Sequence, residues 1–428
     1  MGILPNRDDF AAQAAREALA EMAPVVLVTG RAGTGKSHFI REIAAEKKLA
    51  QAVLAPTGLA AMNIGGQTVH SFFGFPPRPL IRFAEKPNWF FTKNARHLKR
   101  IIVDEVSMLR ADVLDAMDSA LRAARKSTRS FGGVQMLLVG DFYQLPPVVR
   151  GDEGRLLEDA GYESAYAFSA HALRDPAVAA IELTEVKRQT DLDFIALLSA
   201  LREMRGVEDA VETLNAACLE RTLAQKPVLL TATNAVADRY NSQGLAALSG
   251  ETRLFTGAFE GEARGNVTER LPAPMQLALK KGARVIFTQN DTEGRWVNGS
   301  LGTVAEIDDT IIRVRMDAGG VEDVERSTWP QARWQWNETS RQMEVKEEFK
   351  YSQFPLAPAW ALTIHKAQGM TLDSVEIDLG RGAFAPGQTY VALSRARSME
   401  GLRLARPLKA SDVRVDPAIA EGLKRFGL

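Results

Sequence analysis

A glycine-rich loop near the start of the chain limits what this sequence can fold into. Residues 30–37 read GRAGTGKS and match the complete pattern G-x-x-x-x-G-K-[ST]. A short apolar run, Val25–Thr29, precedes the loop, and a helical pattern over Ser37–Ala45 follows it. Because such a loop lies between a buried parallel strand and a helix, the sequence predicts a doubly wound α/β core.

Each residue type in this loop has a chemical reason. Glycines allow tight turns that point backbone N–H groups at a phosphate, next to a helix N-terminus that favours anions. The lysine supplies a positive charge between the β- and γ-phosphates, and the final hydroxyl can bind Mg²⁺. A glycine-rich loop without a ligand is the alternative. The residues that we predict to bind a nucleoside triphosphate are Gly30, Gly33, Thr34, Gly35, Lys36 and Ser37.

Two adjacent acids follow the β-branched run Ile101–Val103. We predict that Asp104 holds Mg²⁺, directly or through water, and that Glu105 polarises the attacking water. A small-molecule kinase needs one metal carboxylate and an acceptor pocket, whereas an Asp-Glu pair favours water as the acceptor. The pair therefore indicates an ATPase. A third apolar run, Met136–Val139, precedes GDFYQLPP, where Gln144 is placed to sense the γ-phosphate.

Strand-like and helix-like segments alternate along most of the chain, which predicts two α/β cores. Residues 251–351 differ, because short β-rich runs alternate there with glycine-containing turns, and they predict an all-β insertion. The insertion runs are Val285–Phe287, Leu301–Val304 and Ile311–Met316. The remaining predicted strands are Val25–Thr29, Val53–Ala55, Ile101–Val103, Met136–Val139, Ala180–Leu183, Val228–Thr231, Trp360–Ile364, Val375–Asp378 and Leu402–Leu404.

The charge is balanced over the whole chain but not locally. The 428 residues include 53 Lys+Arg and 53 Asp+Glu, a net charge of zero, which by itself speaks against a nucleic-acid partner. Residues 74–103 nevertheless hold seven bases and one acid, residues 151–220 hold 15 acids and six bases, and residues 381–428 hold nine bases and four acids. Segregated charge suits a charged partner, and solvated protein faces are the alternative.

Other features exclude several classes of protein. The single cysteine, Cys218, leaves no internal disulfide and fits a reducing compartment. The five histidines have no ligand spacing, so we expect no zinc site. No apolar run approaches the roughly 18 residues of a membrane span, so we expect no membrane association.

Eight motifs occur in a fixed order between about residues 13 and 405, and together they resemble the Pif-one/RecD family of superfamily 1B DNA helicases. They read GRAGTGKS, APTGLAA, TVHSFFGF, IIVDEVSML, GDFYQLPPV, LTEVKRQ, TIHKAQGMTLD and YVALSRA. The run FGGVQ at residues 131–135 resembles the signature of the Pif-one branch. The motifs span nearly the whole chain, so we expect no accessory domain at either end.

This resemblance implies an α/β fold with two RecA-like P-loop NTPase domains. The first has a small basic insertion and the second an SH3-like all-β insertion. The implied boundaries are 1–74 and 101–180 for domain 1A, 75–100 for insertion 1B, 181–252 and 355–428 for domain 2A, and 253–354 for insertion 2B.

The resemblance also implies nucleotide-site roles for residues whose spacing alone does not indicate a function. Gln13 stands where the family has its adenine-reading glutamine, although an exposed helix residue is the alternative. Gln368 and Gly369 face the nucleotide cleft in the second domain. Arg188 and Arg395 match the arginines that reach the γ-phosphate, with Arg397 as a rival for the second role. The implied catalytic set is Lys36, Glu105, Gln144, Arg188 and Arg395.

The implied DNA contacts lie at strand ends in both domains. Hydroxyl, imidazole and backbone N–H groups there position phosphates without reading sequence. His70 and His365 are core histidines on the alternative interpretation. The basic segment also carries Phe75, Phe83, Trp89, Phe90 and Phe91, which either stack on bases or anchor the insertion, whereas we expect Trp329, Trp334 and Trp336 mainly to pack. The DNA-binding set is Pro56, Thr57, Gly58, Thr68, His70, Phe72, Thr363, His365 and Lys366.

We therefore expect an ATP-dependent 5′-to-3′ DNA helicase that uses ATP and Mg²⁺. Its expected partners are single-stranded DNA and single/double-strand junctions, including forks, G-quadruplexes or RNA–DNA hybrids. We expect a monomer on DNA and a cytoplasmic, nucleoid-associated location in a bacterium. The alternatives are a DNA-stimulated translocase without robust unwinding and a P-loop kinase or GTPase.

Overall fold

The structure is a computed structural model that describes residues 7–46, 49–81, 89–189, 191–224, 226–260 and 271–428. The chain divides into two compact units. Unit 1 contains Met1–Arg188, Arg333–Lys346 and Val415–Leu428, and unit 2 contains Gln189–Ala332 and Glu347–Arg414. Within the described ranges, no helix has the length and apolar character needed to cross a membrane.

Unit 1 contains a six-stranded parallel sheet. Its strands are β1 (Val25–Gly30), β2 (Gln51–Ala55), β3 (Gln67–Thr68), β4 (Arg100–Val103), β5 (Gln135–Val139) and β6 (Val178–Leu183). They lie in the order β3-β2-β4-β5-β1-β6. The helices of this unit before residue 160 are α1 (Arg7–Ala20), α2 (Lys36–Ala45), α3 (Gly58–Asn63), α4 (Val69–Phe73), α5 (Trp89–Ala95), α6 (Ala111–Arg125) and α7 (Glu153–Asp159).

Strands β1, β2, β4 and β5 are buried on both faces, which explains their mostly apolar sequences, whereas the edge strand β6 is only partly buried. Successive residues of a strand point to opposite faces. In β1, Val25 and Leu27 join the core cluster that includes residues of α4 and α6, while Val26 and Val28 join the cluster formed with α1 and α2. A strand covered on both sides has no polar face, so it lacks the alternation of a half-exposed strand.

A buried polar cluster, which sequence analysis does not reveal, joins three strands of unit 1. Arg100 is 4% exposed, and its guanidinium donates to the side-chain oxygens of Gln135 (2.7 Å) and Gln51 (3.3 Å). The Gln51 amide in turn donates to the Ile43 carbonyl at 2.9 Å. Burial lowers the pKa of Arg100. Arg100 therefore belongs to the core rather than to the basic surface of residues 74–103.

Unit 2 contains a four-stranded parallel sheet and a large antiparallel portion. Its helices are α8 (Leu192–Arg202), α9 (Val207–Cys218), α10 (Asn234–Ala246) and α11 (Gln388–Leu393). The strands that follow β6 are β7 (Val228–Thr231), β8 (Arg253–Thr256), β9 (Ala258–Glu260), β10 (Gln276–Leu279), β11 (Arg284–Phe287), β12 (Leu301–Ile307), β13 (Ile312–Met316), β14 (Val321–Val324), β15 (Ser327–Asn337), β16 (Gln342–Gln353), β17 (Leu356–Pro358), β18 (Ala361–Thr363), β19 (Val375–Asp378) and β20 (Leu402–Leu404).

The two portions of unit 2 match the predicted fold class. The parallel sheet has the order β18-β7-β19-β20, as expected of a second α/β core. The five-stranded sheet of order β14-β13-β12-β11-β17 is antiparallel, and its buried face includes Val285, Phe287, Val304, Val314 and Leu356. The predicted all-β insertion within the second α/β core is therefore confirmed.

The unit boundaries differ from the predicted domain boundaries in three places. Strand β6, assigned in part to domain 2A, pairs in parallel with β1 and completes the sheet of unit 1. The C-terminal residues 415–428, also assigned to domain 2A, belong to unit 1 and form helix α12 (Ala418–Lys424). Residues 333–346, assigned to insertion 2B, belong to unit 1 as well. Each of these placements depends on partners far away in the sequence, which local patterns do not specify.

Residues 333–346 form the tip of the β15–β16 hairpin and pack within unit 1. The Trp336 ring stacks on His97 with centroids 3.9 Å apart and planes 6° from parallel, and its backbone N–H donates to the Asn94 side chain at 2.8 Å. Met343 is 7% exposed in the unit 1 core. Trp329, in unit 2, stacks on Tyr351 at 5.8 Å. Both tryptophans therefore pack against protein, whereas the Trp334 side chain lies outside the described residues.

The basic segment of residues 74–103 is described in part. Phe75 and Phe91 are buried in the unit 1 core, which favours the anchoring interpretation for these two rings. Phe83, together with the side chains of Trp89 and Phe90, lies outside the described residues.

Candidate nucleotide and nucleic-acid sites

The glycine-rich loop connects β1 to α2, as predicted. Gly33 and Gly35 both have a φ of +84°, a left-handed conformation that glycine adopts at no steric cost. A Cβ on Gly30 would lie 2.5 Å from the Leu183 carbonyl oxygen, so the loop requires glycine there too. Gly35 is the N-cap of α2 and supplies no side-chain cap, so the first turn of the helix presents backbone N–H groups. The loop is therefore built to bind an anion.

Three side chains of the loop differ in exposure and contacts. The Lys36 ammonium folds over the loop and donates to the carbonyl oxygens of Gly30 (2.7 Å) and Arg31 (2.8 Å). Thr34 is buried and its hydroxyl donates to the Arg31 carbonyl at 3.0 Å. Ser37 is exposed in the first turn of α2. Lys36 and Thr34 thus hold the loop in shape, while Ser37 presents its hydroxyl to solvent.

The predicted acid pair lies where β4 leaves the sheet. Asp104 is 6% exposed, its backbone N–H donates to the Leu54 carbonyl at 2.9 Å, and its Oδ1 accepts the Glu105 backbone N–H at 2.8 Å. Burial raises the pKa of Asp104 well above its usual range, and the Glu105 charge adds to the shift, while the nearby Lys36 ammonium opposes it. The Lys36 ammonium therefore lies close enough to the Asp104 carboxylate to act on its charge.

Gln144 follows β5 and is 5% exposed. Its backbone N–H donates to the Asp141 carbonyl at 3.0 Å, and its amide approaches the Asp141 carboxylate at 3.4 Å. The backbone N–H of Gly140, at the end of the same strand, donates to the Val28 carbonyl at 3.1 Å. Because the carboxyl ends of β1, β4 and β5 meet at one edge of the sheet, the structure brings Lys36, Ser37, Asp104, Glu105 and Gln144 to that edge.

Two further candidates for nucleotide contacts lie near the two ends of the segment Met1–Arg188 of unit 1. Gln13 is exposed on α1, and its amide donates to Glu17 at 2.9 Å. Arg188 is half-buried in the segment that follows β6. Its neighbour Lys187 donates its backbone N–H to the Gly33 carbonyl at 2.7 Å, so this segment runs against the nucleotide loop. Lys187 lies within the motif LTEVKRQ, but the resemblance implies a role only for the adjacent Arg188.

In unit 2, Arg395 is 1% exposed. Its Nε donates to the Val391 carbonyl (2.9 Å), one terminal nitrogen to the Met370 carbonyl (3.3 Å) and the other to the Ser394 hydroxyl (2.8 Å). The rival, Arg397, is exposed and pairs with Asp373 at 3.2 Å. Among the other candidates of this unit, Gln368 is buried and Gly369 is exposed with a φ of +83°. The hydrogen bonds of Arg395 therefore hold its guanidinium against α11 and the Met370 carbonyl, within unit 2.

Three predicted DNA-binding threonines share one local geometry. The hydroxyl of Thr57, after β2, accepts the Ala60 backbone N–H at 3.3 Å. The hydroxyl of Thr68, at the end of β3, accepts the Ser71 N–H at 3.3 Å, and the hydroxyl of Thr363, at the end of β18, accepts the Lys366 N–H at 3.3 Å. Each threonine caps the turn that follows its strand. Thr57 and Thr68 are half-buried, whereas Thr363 is 4% exposed. A hydroxyl that accepts one hydrogen bond also has a hydrogen to donate.

The other predicted DNA-binding residues differ in accessibility. Pro56, Gly58, His70 and His365 are half-buried, and Lys366 is exposed. Burial lowers the pKa of the His365 imidazole below its ordinary value, which favours the neutral ring at pH 7. Phe72 is 6% exposed and packs edge-on against Phe73 and Phe91, so its ring supports α4 from inside the core.

The fold and the unit 1 site together define a class of protein, a P-loop nucleoside triphosphatase with two RecA-like units. The family model described as PIF1-like helicase matches residues 7–202. An ATP-dependent DNA helicase Pif1 of Bdellovibrio bacteriovorus is 32% identical over 409 residues, which cover 94% of this chain and 88% of the relative. The chain belongs to the PIF1-like helicase family.

Other relatives agree with this assignment. The ATP-dependent DNA helicase PIF1 of Danio rerio is 37% identical over 89% of this chain, and the match covers 58% of that relative's length. The chain thus spans less than two thirds of this vertebrate relative. The crystal structure of Bacteroides sp Pif1 in complex with ADP-AlF4 has a TM-score of 0.89 at 30% identity and covers 100% of this chain and 98% of the other. Bacteroides Pif1 bound to ssDNA has a TM-score of 0.72 at 31% identity, with 100% and 98% covered.

Proposed function

We propose that this chain is an ATP-dependent DNA helicase. The observation that carries the proposal is the repeated threonine cap at Thr57, Thr68 and Thr363, which occurs after parallel strands in both units. An enzyme that acts only on a nucleotide needs one phosphate site, whereas a translocase needs phosphate-holding groups on each of two units. The relatives named as ATP-dependent DNA helicases and the ssDNA complex of Bacteroides Pif1 support this proposal.

The proposed nucleotide chemistry uses residues at the sheet edge of unit 1 where β1, β4 and β5 end. Lys36 and the loop N–H groups hold the phosphates, Glu105 orients the attacking water, and Gln144 senses the γ-phosphate. Arg188 and Arg395 stabilise the charge that develops in the transition state, an effect on the order of 10³–10⁵ in rate for such arginines. The complex of Bacteroides Pif1 with ADP-AlF4 supports this use of a nucleotide.

The residues present fit a Mg²⁺ ion. Ser37 presents an exposed hydroxyl, and the Asp104 carboxylate follows β4 at the same edge of the sheet, so both supply the oxygen ligands that Mg²⁺ prefers. When bound, Mg²⁺ would neutralise charge on the β- and γ-phosphates. Gln13, with Gln368 and Gly369, completes the proposed nucleotide contacts.

For DNA, the proposed contacts are the three threonines with Pro56, Gly58, His70, His365 and Lys366, and Phe72 supports them from the core. The proposed substrates are single-stranded DNA and single/double-strand junctions, bound by a monomer that moves 5′ to 3′. Forks, G-quadruplexes and RNA–DNA hybrids are proposed targets, and a cytoplasmic, nucleoid-associated location stays a prediction.

A comparison of three activities tests the proposal. Oligothymidylate should stimulate ATP hydrolysis, and a partial duplex with a 5′ tail should be unwound faster than one with a 3′ tail. A P-loop kinase or GTPase would turn over its nucleotide without regard to DNA, and this result would contradict the proposal. DNA-stimulated hydrolysis without strand separation would instead support a translocase, and faster unwinding from the 3′ tail would contradict the proposed direction.

A further inference from the structure

We propose that Lys187 is an additional nucleotide-binding residue, whose ammonium group contacts the phosphates of the bound nucleotide. This proposal deepens the proposed function and rests on the nucleotide site of unit 1. Lys187 lies in the segment after β6 and immediately precedes Arg188.

The backbone of Lys187 is fixed to the nucleotide loop itself. Its N–H donates to the Gly33 carbonyl at 2.7 Å, one of the short hydrogen bonds of this region. Its side-chain Cδ lies 3.7 Å from the position that a Cβ would occupy on Gly35. The four-carbon stem of Lys187 therefore runs across the loop at the two glycines whose left-handed backbones turn N–H groups toward a phosphate.

The charged end of Lys187 can reach an anion held by this loop. The Nζ atom is two bonds beyond Cδ, about 2.5 Å away by standard bond lengths. The side chain is exposed, and in the described part of the chain no carboxylate forms an ion pair with it. An ammonium group held over a loop that binds anions finds its complementary charge in a nucleotide phosphate.

The attachment of Lys187 distinguishes its role from that of Arg188. Because Lys187 is tied to the loop by its own backbone, its contact is present with ATP and with ADP alike. A contact that is equally strong in the ground state and in the transition state changes KM and leaves kcat nearly unchanged. Arg188, as an arginine that stabilises the transition state, should show the opposite pattern.

Calorimetric titration of nucleotides with the full chain, in the presence of Mg²⁺ and without DNA, tests the proposal. Lys187→Met keeps the stem on Gly35 and the backbone hydrogen bond but removes the charge, so we expect the Kd values for ADP and CDP each to rise about tenfold. Lys187→Arg should restore most of the affinity. Lys281→Met, at an exposed lysine of unit 2, makes the same substitution outside the site and should bind ADP normally.

Three results would overturn the proposal. Unchanged affinity in Lys187→Met would show that the ammonium group makes no contact. A loss for ADP but not CDP would place the contact on the base, and a loss in Lys187→Arg as large as in Lys187→Met would mean that the charge is not what binds. Because the measurement uses neither DNA nor hydrolysis, it stays decisive for a chain that fails to unwind DNA.

Discussion

Among single residues, Glu105 combines an uncommon backbone conformation with a proposed chemical role. Its φ of +51° lies in the left-handed region, which costs a residue other than glycine roughly 1–2 kcal/mol. The Glu105 carbonyl accepts the Met108 N–H at 3.0 Å, and its own N–H is held by Asp104. A Cβ on Gly140 would lie 2.8 Å from the Val106 nitrogen, so the neighbouring strand end packs closely against this turn. The surrounding contacts thus maintain a strained backbone at the residue that we propose as the base of hydrolysis.

Glu105→Gln should separate nucleotide binding from hydrolysis. The amide has nearly the same shape as the carboxylate but cannot act as a base, so we expect kcat for DNA-stimulated ATP hydrolysis to fall about 10²–10⁴-fold. The Kd for ADP should stay close to that of the unchanged protein. Lys36→Ala, which removes a phosphate contact, should weaken nucleotide binding as well. Near-normal turnover in Glu105→Gln would contradict the role of this residue.

Arg395→Ala should lower stability as well as activity. The guanidinium is 1% exposed and donates to two carbonyls and a hydroxyl, so its removal should lower the free energy of unfolding by on the order of 3 kcal/mol. Denaturant unfolding of the nucleotide-free protein measures this change. Arg397→Ala, at an exposed ion pair, should alter stability by less than about 1 kcal/mol.

Activity assays on the same pair of variants show which arginine acts in hydrolysis. We expect Arg395→Ala to lose turnover and Arg397→Ala to keep it. Loss of turnover in Arg397→Ala alone would transfer the γ-phosphate role to Arg397, and an unchanged free energy of unfolding in Arg395→Ala would contradict the structural contribution of its hydrogen bonds.

At the scale of helices and strands, local sequence patterns predict where a strand begins and ends better than which strand it pairs with. The predicted strands Val228–Thr231, Val375–Asp378 and Leu402–Leu404 have the same bounds as β7, β19 and β20. The first is a nearly continuous apolar run, VLLT, and the other two, VEID and LRL, alternate apolar and charged residues with the period of a strand. The sheet to which β6 belongs depends on pairing with β1, about 150 residues earlier, and no local signal carries that information. The motifs likewise locate the nucleotide loop and the acid pair, whereas the motif LTEVKRQ contains Lys187 but indicates a role only for Arg188.

Helix α12 illustrates such a long-range partner, and its docking can be tested. A Cβ on Gly422 would lie 2.3 Å from the Phe168 ring, so the helix and the ring approach more closely than any other residue allows. We expect Gly422→Ala to destabilise unit 1 by about 1–3 kcal/mol through overpacking, measured by denaturant unfolding.

Gly154→Ala is the matched control for this helix substitution. Gly154 also lies in a helix, α7, but its added Cβ would be an ordinary 3.6 Å from Val149. Alanine is the better helix former, so this variant should be neutral or stabilised by up to about 1 kcal/mol. Equal stability of the two variants would show that α12 does not dock closely on Phe168.

For the whole molecule, ion pairs within the protein change how the segregated charge is interpreted. Many basic side chains after residue 380 meet carboxylates. The recorded pairs join Arg397 to Asp373, Arg403 to Glu376, Arg406 to Asp378, Lys424 to Glu421 and Arg425 to Glu163. Arg100 and Arg395 are buried. Counting charges along the sequence therefore overstates the positive surface, because four of these five acids lie outside residues 381–428.

The proposed DNA affinity should still depend on salt. Exposed basic residues such as Arg96, Lys99 and Lys366 can neutralise phosphates, and each contact with a single strand adds about −0.7 to the slope of log K against log salt. We expect a slope of about −2 to −4 for oligothymidylate, measured by fluorescence anisotropy without nucleotide. Replacing both Arg96 and Lys99 by Gln should make the slope shallower by about 1.4. Arg403→Gln, at a cation already paired with Glu376 at 2.7 Å, should leave the slope unchanged. A flat dependence would mean that DNA is not held by these charges, and so would an equal change of slope for Arg403→Gln and for the Arg96 and Lys99 substitutions. The threonine caps would then have to hold the strand without them.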